Sequence, residues 1–445
     1  MTDFREKMER RGVDGTAIDV FERQVHDVRT TDVGMIRDSD IEPYRSPQLD
    51  TDAADPDVMD RVATIRLNGG LGTSMGLDRA KSLLEVRDGL TFLDIIAEQT
   101  LASRRASGAR LPLTFLHSFR TSADCLEALE AHPELAGGPI PIELVQNSVP
   151  KLSAESFGPV EWPIDPELEW CPPGHGDLYT VLHAAGFLDS LAEHGFRHVF
   201  VANSDNLGAR PDPVVAGWFA SSGAPFAIEA VRRTPSDRKG GHFATRRSDG
   251  RLILRETAQT PSDELGSIDR HRFASTNNIW FDVDAMRSML AERSGDLHLP
   301  VIVNRKSVDP TDPDSPDVIQ LETAMGAAVE VFEGATTVEV GRDRFVPVKT
   351  TDDLLVVRSD CYTLTDDRRL EQVAPTIPLV TLAAPYRLVD DFDRRFPAGS
   401  PSLAACTSFE VQGDWTFGAD VTVVGDVTLG PEGGVVADGT VLEGG

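Results

Sequence analysis

Lysine is scarce in this 445-residue chain: only six of its 43 basic residues are lysine, and the rest are arginine. Basic charge is short altogether, since 72 Asp and Glu leave a formal net charge of −29. A surface this acidic repels nucleic acid and anionic membranes at long range, which sets both aside as partners. Cysteine is sparse too. Cys125, Cys171, Cys361 and Cys406 are scattered with no C-x-x-C pair, so they read as free thiols in a reducing compartment rather than a disulfide framework. No cluster of His, Cys and carboxylate has zinc spacing, and no G-x-S-x-G elbow occurs, so neither zinc nor covalent serine chemistry is supported. No run of about 18 apolar residues exists, and the start, MTDFREKMERR, has no apolar stretch of a secretory leader. Together these absences predict a soluble, cytoplasmic protein.

The length suffices for two or three domains. Residues 1–60 mix amphipathic segments such as TAIDVFERQVHDV with acidic loops, which predicts an N-terminal extension of one or two helices. Residues 61–360 alternate strand-like and helix-like stretches. VATIRL, LPLTFLH, PIELVQ and HVFVAN are short apolar runs ending in polar residues. TFLDIIAEQTLASRR and DLYTVLHAAGFLDSL each have helical periodicity, the first opened by a capping box at Thr91 and Asp94. This pattern predicts an α/β core with a mainly parallel sheet, whose ligands would lie beyond the carboxyl ends of the strands. GHFATRRSDGRLILRE reads as a hairpin turned at Ser248-Asp249-Gly250. In residues 361–445 the composition changes. From about residue 405, glycines recur every few positions between short Val, Leu and Phe pairs, which suggests the coils of a β-helix.

Three stretches carry chemistry. RLNGGLGTSMGLDRAKS (Arg66–Ser82) follows a good strand and nearly matches two phosphate-binding signatures, completing neither. The helical pattern resumes only near Thr91, whereas a dinucleotide fold needs a helix starting at the glycines. The long loop and Lys81 suit the phosphates of a nucleoside triphosphate better. WCPPGHGDLYTVL sets Gly174-His175-Gly176 at a helix start, a natural anion site. VFVANSDNLGA ends a strand with Asn203 and Asp205, a carboxylate placed for Mg²⁺ beside phosphates. Taken singly, each motif also fits a tight turn, a helix cap or an Asx turn.

Seven ordered blocks across residues 61–362 resemble the eukaryotic-type UTP–glucose-1-phosphate uridylyltransferase (UDP-glucose pyrophosphorylase) family. They are LNGGLGTSMGLDRAKSLLEVRDGLTFLD, WCPPGHGDLYTVL, VANSDNLGA, KGGHFATRRSDGRLILRETAQTP, STNNIWFDVDAM, VIQLETAMGAAVEVF and RDRFVPVKTTDDLLVVRSD. The resemblance implies a nucleotide-diphospho-sugar transferase core, Rossmann-like with a mixed sheet, and a C-terminal left-handed parallel β-helix. It implies that Leu67, Asn68, Gly69 and Gly70 hold the uracil and ribose, that Gln146 reads the base, and that Gly174 and His175 contact nucleotide and sugar phosphate. Lys81 and Lys349 would reach the reacting phosphates, with Mg²⁺ on Asp205. Asn203, Gly241, Glu256 and Asn278 would lie on the sugar side. The substrates implied are UTP and glucose 1-phosphate, giving UDP-glucose and pyrophosphate. A wider range of sugar 1-phosphates, a silent UDP-sugar sensor and a homo-oligomer paired through the β-helix all stay open. This chain departs from the family at Leu77-Asp78-Arg79-Ala80, where a cysteine and Lys-Gly-Pro are usual, and at His242, usually threonine. The first departure bears on the loop's conformation and the second on sugar selectivity.

Overall fold

The strand Val62–Asn68 (β2) is buried at all seven positions, so it runs through the middle of the molecule rather than along a face. The computed structural model describes residues 2–30, 34–234, 237, 240–310, 312 and 314–444; Lys239, part of one family-like block, lies outside them. Alternate residues Ala63, Ile65 and Leu67 face one apolar cluster, as the period-two pattern predicts. Thr64, Arg66 and Asn68 are buried as well, against the layer on the other side.

Around β2 stands a ten-stranded sheet. Its strands are Ile41–Pro43 (β1), β2, Leu113–His117 (β3), Glu143–Val145 (β4), His198–Asn203 (β5), Phe226–Arg232 (β6), His242–Arg246 (β7), Leu252–Arg255 (β8), Phe273–Asp282 (β9) and Thr336–Glu339 (β10). The principal order is β1-β7-β9-β5-β2-β3-β4. The half β5-β2-β3-β4 is parallel. The long strand β9 runs antiparallel to β5, β6 and β7. The sheet is therefore mixed, not mainly parallel. The polar ends of β2, β4 and β5 still share one edge, because those strands belong to the parallel half.

Two helices, Thr2–Arg11 (α1) and Gly15–Thr30 (α2), form the N-terminal extension. Their Phe4, Met8, Ile18, Phe21 and Val25 pack on a separate three-stranded sheet of Leu152–Ser153, Asp317–Thr323 and Val301–Ser307. The capping box at Thr91 forms, and opens the helix Phe92–Ser107. The expected single helix over residues 177–191 is two, Leu178–Ala184 and Phe187–Glu193, because Gly186 adopts φ +60° and breaks the run. The hairpin at Ser248-Asp249-Gly250 joins β7 to β8 as expected. In the C-terminal part, Leu379–Leu382, Cys406–Val411, Thr422–Leu429 and Val441–Glu443 pair in parallel, as do Trp415–Phe417 and Gly434–Val436. Phe409, Phe417, Val423 and Val436 fill these rungs, and their apolar cluster is continuous with Met75, Ala80 and Leu83 under the glycine loop. Among the described residues, no helix is long and apolar enough to cross a membrane.

A buried polar network sets the edge where the parallel strands end. The Arg66 guanidinium donates to the carbonyls of Asn203 (3.3 Å), Asn206 (3.5 Å) and Ala209, so the loop after β5 wraps around it. Glu229 of β6, fully buried, accepts from both arms of Arg344 (Nε at 2.7 Å, Nη2 at 2.5 Å), from Asn278 Nδ2 (2.9 Å) and from the Trp280 indole (3.0 Å). Asn206 links the two systems, donating to the Arg344 carbonyl at 3.1 Å and accepting from Val346 N–H at 2.9 Å. Removing one partner of a buried charge pair leaves the other uncompensated, which costs about 3–5 kcal/mol. Glu229→Ala should therefore lose stability on that scale in urea unfolding. A loss below about 1 kcal/mol would mean the Arg344 charge is satisfied some other way.

Candidate functional site

At the carboxyl edge of β2, β4 and β5 the chain leaves a cleft of about 710 Å³. Its lining includes Leu67 near the end of β2, Gly69 and Gly70 after it, Gln146 after β4, and Asn203 and Asp205 at and beyond the end of β5. The loop after β2 folds back on itself. Leu71 bridges Ala80, Gly70 C=O accepts from Lys81 N–H at 3.3 Å, and Gly76 turns at φ +79° against Leu388. Contacts of Arg79 and Ala80 thus close this loop, which aims Lys81 into the cleft.

Lys81 Nζ donates to Asp205 Oδ2 at 2.9 Å and to the Val348 carbonyl. Lys349 Nζ donates to both Asp205 oxygens, at 3.1 and 2.8 Å. Val348 N–H donates to the Asp205 carbonyl at 3.0 Å, so the segment carrying Lys349 is stitched to the residue it pairs with. Asp353 then accepts from Lys349 N–H at 2.7 Å as part of a capping box that starts the next helix. Burial disfavours the Asp205 carboxylate, but the Lys349 and Lys81 ammoniums outweigh it and hold the group down at about 2. Two cations converge on one anion, leaving the cluster net positive.

His175 is placed by the turn after Gly174, whose φ of +82° suits glycine and whose absent Cβ would sit 2.6 Å from the Thr323 carbonyl oxygen. Its Nδ1 accepts from Met325 N–H at 2.9 Å, so the proton of the neutral ring is on Nε2. Burial, with repulsion from Lys349, pulls its pKa down to about 4. Gln146 lies between two glycines. A Cβ on Gly69 would come 2.2 Å from its Oε1, and its Nε2 donates to the Gly174 carbonyl at 3.4 Å.

The sequence-derived candidates separate into three groups. Leu67, Gly69, Gly70, Lys81, Gln146, Gly174, His175, Asn203 and Asp205 line the one cleft, and Lys349 joins them through Asp205. Gly241 and Glu256 stand together at the β7–β8 hairpin: a Cβ on Gly241 would meet Glu256 Oε2 at 2.7 Å, and burial lifts the Glu256 carboxyl to about 7. Asn68 and Asn278 are turned inward. Asn68 Nδ2 donates to Cys125 Sγ at 3.3 Å, and Asn278, fully buried, is spent on Glu229, Arg344 and Asn206. Both lie in strands with two buried faces, where alternation sends every second side chain into the far layer. Asn277, beside Asn278 in the same strand, takes φ +57°. His242 is buried and stacked on His271 with centroids 4.4 Å apart.

Sequence reasoning missed Arg120, Lys151 and Lys306, which also line the cleft. The scarcity of lysine was the available signal, since four of the six lysines line or reach this one cleft. Among the described residues, no group of three or more His, Cys, Asp or Glu side chains is placed to hold a metal ion. The oxygen donor Asp205 fits Mg²⁺ only in the mode in which a nucleotide's phosphates bring most of the ligands.

A glycine-rich loop and a lysine pair on a strand-end carboxylate, in one cleft at the parallel edge, define an enzyme that handles the phosphates of a nucleotide. The chain belongs to the UTP–glucose-1-phosphate uridylyltransferase family, whose pattern matches residues 16–424. It is 37% identical over 420 residues to UTP–glucose-1-phosphate uridylyltransferase of Hordeum vulgare, covering 91% of this chain and 86% of the relative. The Solanum tuberosum enzyme of the same name is 37% identical over 91% of this chain and 85% of its own. Among solved structures, UDP-glucose phosphorylase from Trypanosoma brucei superposes with TM-score 0.92 at 39% identity, covering 100% of this chain and 99% of that one. A variant of UDP-glucose pyrophosphorylase from Leishmania major in complex with UDP-glucose superposes with TM-score 0.93 at 39% identity, covering 99% and 98%.

The His175 geometry makes a direct prediction. Nitrogen-15 NMR should show a neutral Nε2–H ring at pH 7 that titrates near 4. Because the folded pKa lies below the ordinary 6.5, the unfolded chain binds the extra proton first, so this group erodes stability as pH falls from about 6.5 towards 4. A midpoint above 6 would contradict the geometry.

Proposed function

We propose that this protein is a uridylyltransferase that makes UDP-glucose and pyrophosphate from UTP and glucose 1-phosphate. The observation that carries the reading is the cluster of Lys81 and Lys349 on Asp205 at the end of the glycine-loop cleft. The attacking oxygen of glucose 1-phosphate is already ionised at neutral pH, so no general base is needed. The barrier is the approach of two anions, and a chain with net charge −29 raises it further.

Lys81 and Lys349 neutralise the phosphates locally and orient them for in-line attack at the α-phosphorus, with pyrophosphate leaving. Their shared carboxylate holds the two like-charged groups together, and they exchange it for phosphate oxygens when the nucleotide enters. Asp205 is the residue that would hold Mg²⁺, which would supply further neutralisation of the phosphates. Gln146, against Gly69 and Gly174, reads the uracil edge. His175 offers an uncharged Nε2–H donor to a phosphate oxygen, and its low pKa keeps that role constant across neutral pH. Gly241, Glu256 and Asn203 lie on the hexose side. The parallel C-terminal rungs read as a left-handed β-helix.

Pyrophosphate release with UTP, Mg²⁺ and a panel of sugar 1-phosphates tests this reading. Release should be fastest with glucose 1-phosphate, and Lys349→Ala and Asp205→Ala should each lower kcat by about 100-fold or more. Equal rates with several sugars would move the reading to a broad UDP-sugar pyrophosphorylase. Binding of UDP-glucose without any turnover would make the protein a sensor on an enzyme's fold.

A further inference from the structure

Gln146 carries a flexible amide, and an amide can read two opposite hydrogen-bond patterns by turning over. Uracil presents an N–H between two carbonyls, whereas cytosine presents an acceptor beside an amino group. Discrimination therefore requires something that stops the amide from turning. Direct bonds to Gln146 provide only part of the restraint, because the 3.4 Å contact to the Gly174 carbonyl is long.

A further restraint comes from Asp177, which does not line the cleft. Its carboxylate, 7% exposed, gives both oxygens to the residue after Gln146: Oδ2 accepts from Asn147 N–H at 2.7 Å and Oδ1 from Asn147 Nδ2 at 2.9 Å. Asp177 N–H donates in turn to the Gly174 carbonyl at 3.3 Å, the same oxygen that accepts from Gln146 Nε2. Gln146, Asn147, Asp177 and Gly174 thus close a hydrogen-bonded ring. From outside it, the His117 carbonyl accepts Gln146 N–H at 2.7 Å. The Gly174 carbonyl can face only the amide's nitrogen, and Gly69 leaves no room for a larger neighbour at its oxygen.

Behind the ring, Asp177 faces a narrow cavity lined by Phe21 and Gln24 of α2, Thr180 and Leu297, so α2 covers this side of the carboxylate. In that setting a charge-assisted bond is stronger and less easily exchanged.

We infer that Asp177 is a positioning residue for base selection: through Asn147 it locks the orientation of the Gln146 amide and so determines the preference for uridine over cytidine nucleotides. The inference rests on the proposed role of Gln146, but its test does not depend on turnover.

Dissociation constants for UTP and CTP, measured by calorimetry on the full chain without sugar phosphate, read the preference directly. The wild type should favour UTP. Asp177→Asn places an amide N–H against one of the two Asn147 donors and should reduce the UTP:CTP ratio about tenfold, since a charge-assisted bond of this kind contributes on that scale. Asn147→Ala, which keeps the backbone bond, should lose less. The exchange Asn147→Asp with Asp177→Asn keeps the backbone N–H bond, now accepted by an amide oxygen, and rebuilds the side-chain bond with donor and acceptor reversed, so it should restore the ratio. Thermal melting of each variant separates a fold defect from a change in preference. A UTP:CTP ratio unchanged in folded Asp177→Asn, or lost and not restored in a folded exchange variant, would overturn the inference. Equal binding of the two nucleotides by the wild type would overturn it as well. Selective UTP binding by a wild type that releases no pyrophosphate would instead count against the transferase reading alone.

Discussion

One carboxylate bonded to two ammonium groups is the constraint around which this molecule is arranged. Two lysines brought to the same point repel each other, and each would otherwise sweep a wide volume on its four-carbon stem. Asp205 cancels part of that repulsion and confines both stems. For this to happen, three segments remote in sequence must meet: the glycine loop with Lys81, the turn after β5 with Asp205, and the stretch Val346–Lys349. No local propensity brings them together. The Val348 N–H bond to the Asp205 carbonyl and the Lys81 bond to the Val348 carbonyl join the three.

Supporting that point requires costly burial elsewhere. Arg66 lies in the middle of the sheet with its guanidinium spent on carbonyls of the turn that carries Asp205. Glu229 holds Arg344 two residues before the stretch that carries Lys349. Arginine suits both positions because its planar fork makes several fixed bonds at once, whereas lysine offers a mobile point charge. The division of labour in this chain follows that difference. Arg66 and Arg344 serve as scaffold, and four of the six lysines face or reach the cleft, where a compact charge that can change partners is useful. The acidic exterior sharpens the contrast, because the net charge of −29 repels an anionic ligand at long range whereas the lysines of the cleft attract it.

The parts of the site legible in the sequence were those tied to strand ends. Short apolar runs that stop at polar residues mark where a parallel strand leaves the sheet, so Leu67, Gln146, Asn203 and Asp205 could be expected on one edge. The capping box at Thr91 and the hairpin at Ser248-Asp249-Gly250 were legible because their signals lie within a few residues. Asn68 and Asn278, expected at the site, are turned inward for the opposite reason. Which face of a twice-buried strand looks into the cleft depends on the layer packed against it, and composition is the same on both sides. The antiparallel run of β9 was also hidden, because strand direction leaves no mark in a short apolar stretch. The ring through Asp177 joins residues 30 apart and has no periodicity to betray it.

The sequence by itself determined the chemical inventory: a glycine-rich loop free to expose its backbone, a few lysines in an acidic chain, carboxylates at strand ends, and turns encoded by neighbouring residues. These follow from short-range sterics and from hydrogen bonds between near neighbours. Tertiary structure alone decided which of those groups share a site, which way each side chain faces, and which charges are paired. Such choices are set by contacts across more than a hundred residues, where the buried Arg66 and Glu229 networks and the apolar layers select one arrangement from many that the local pattern allows.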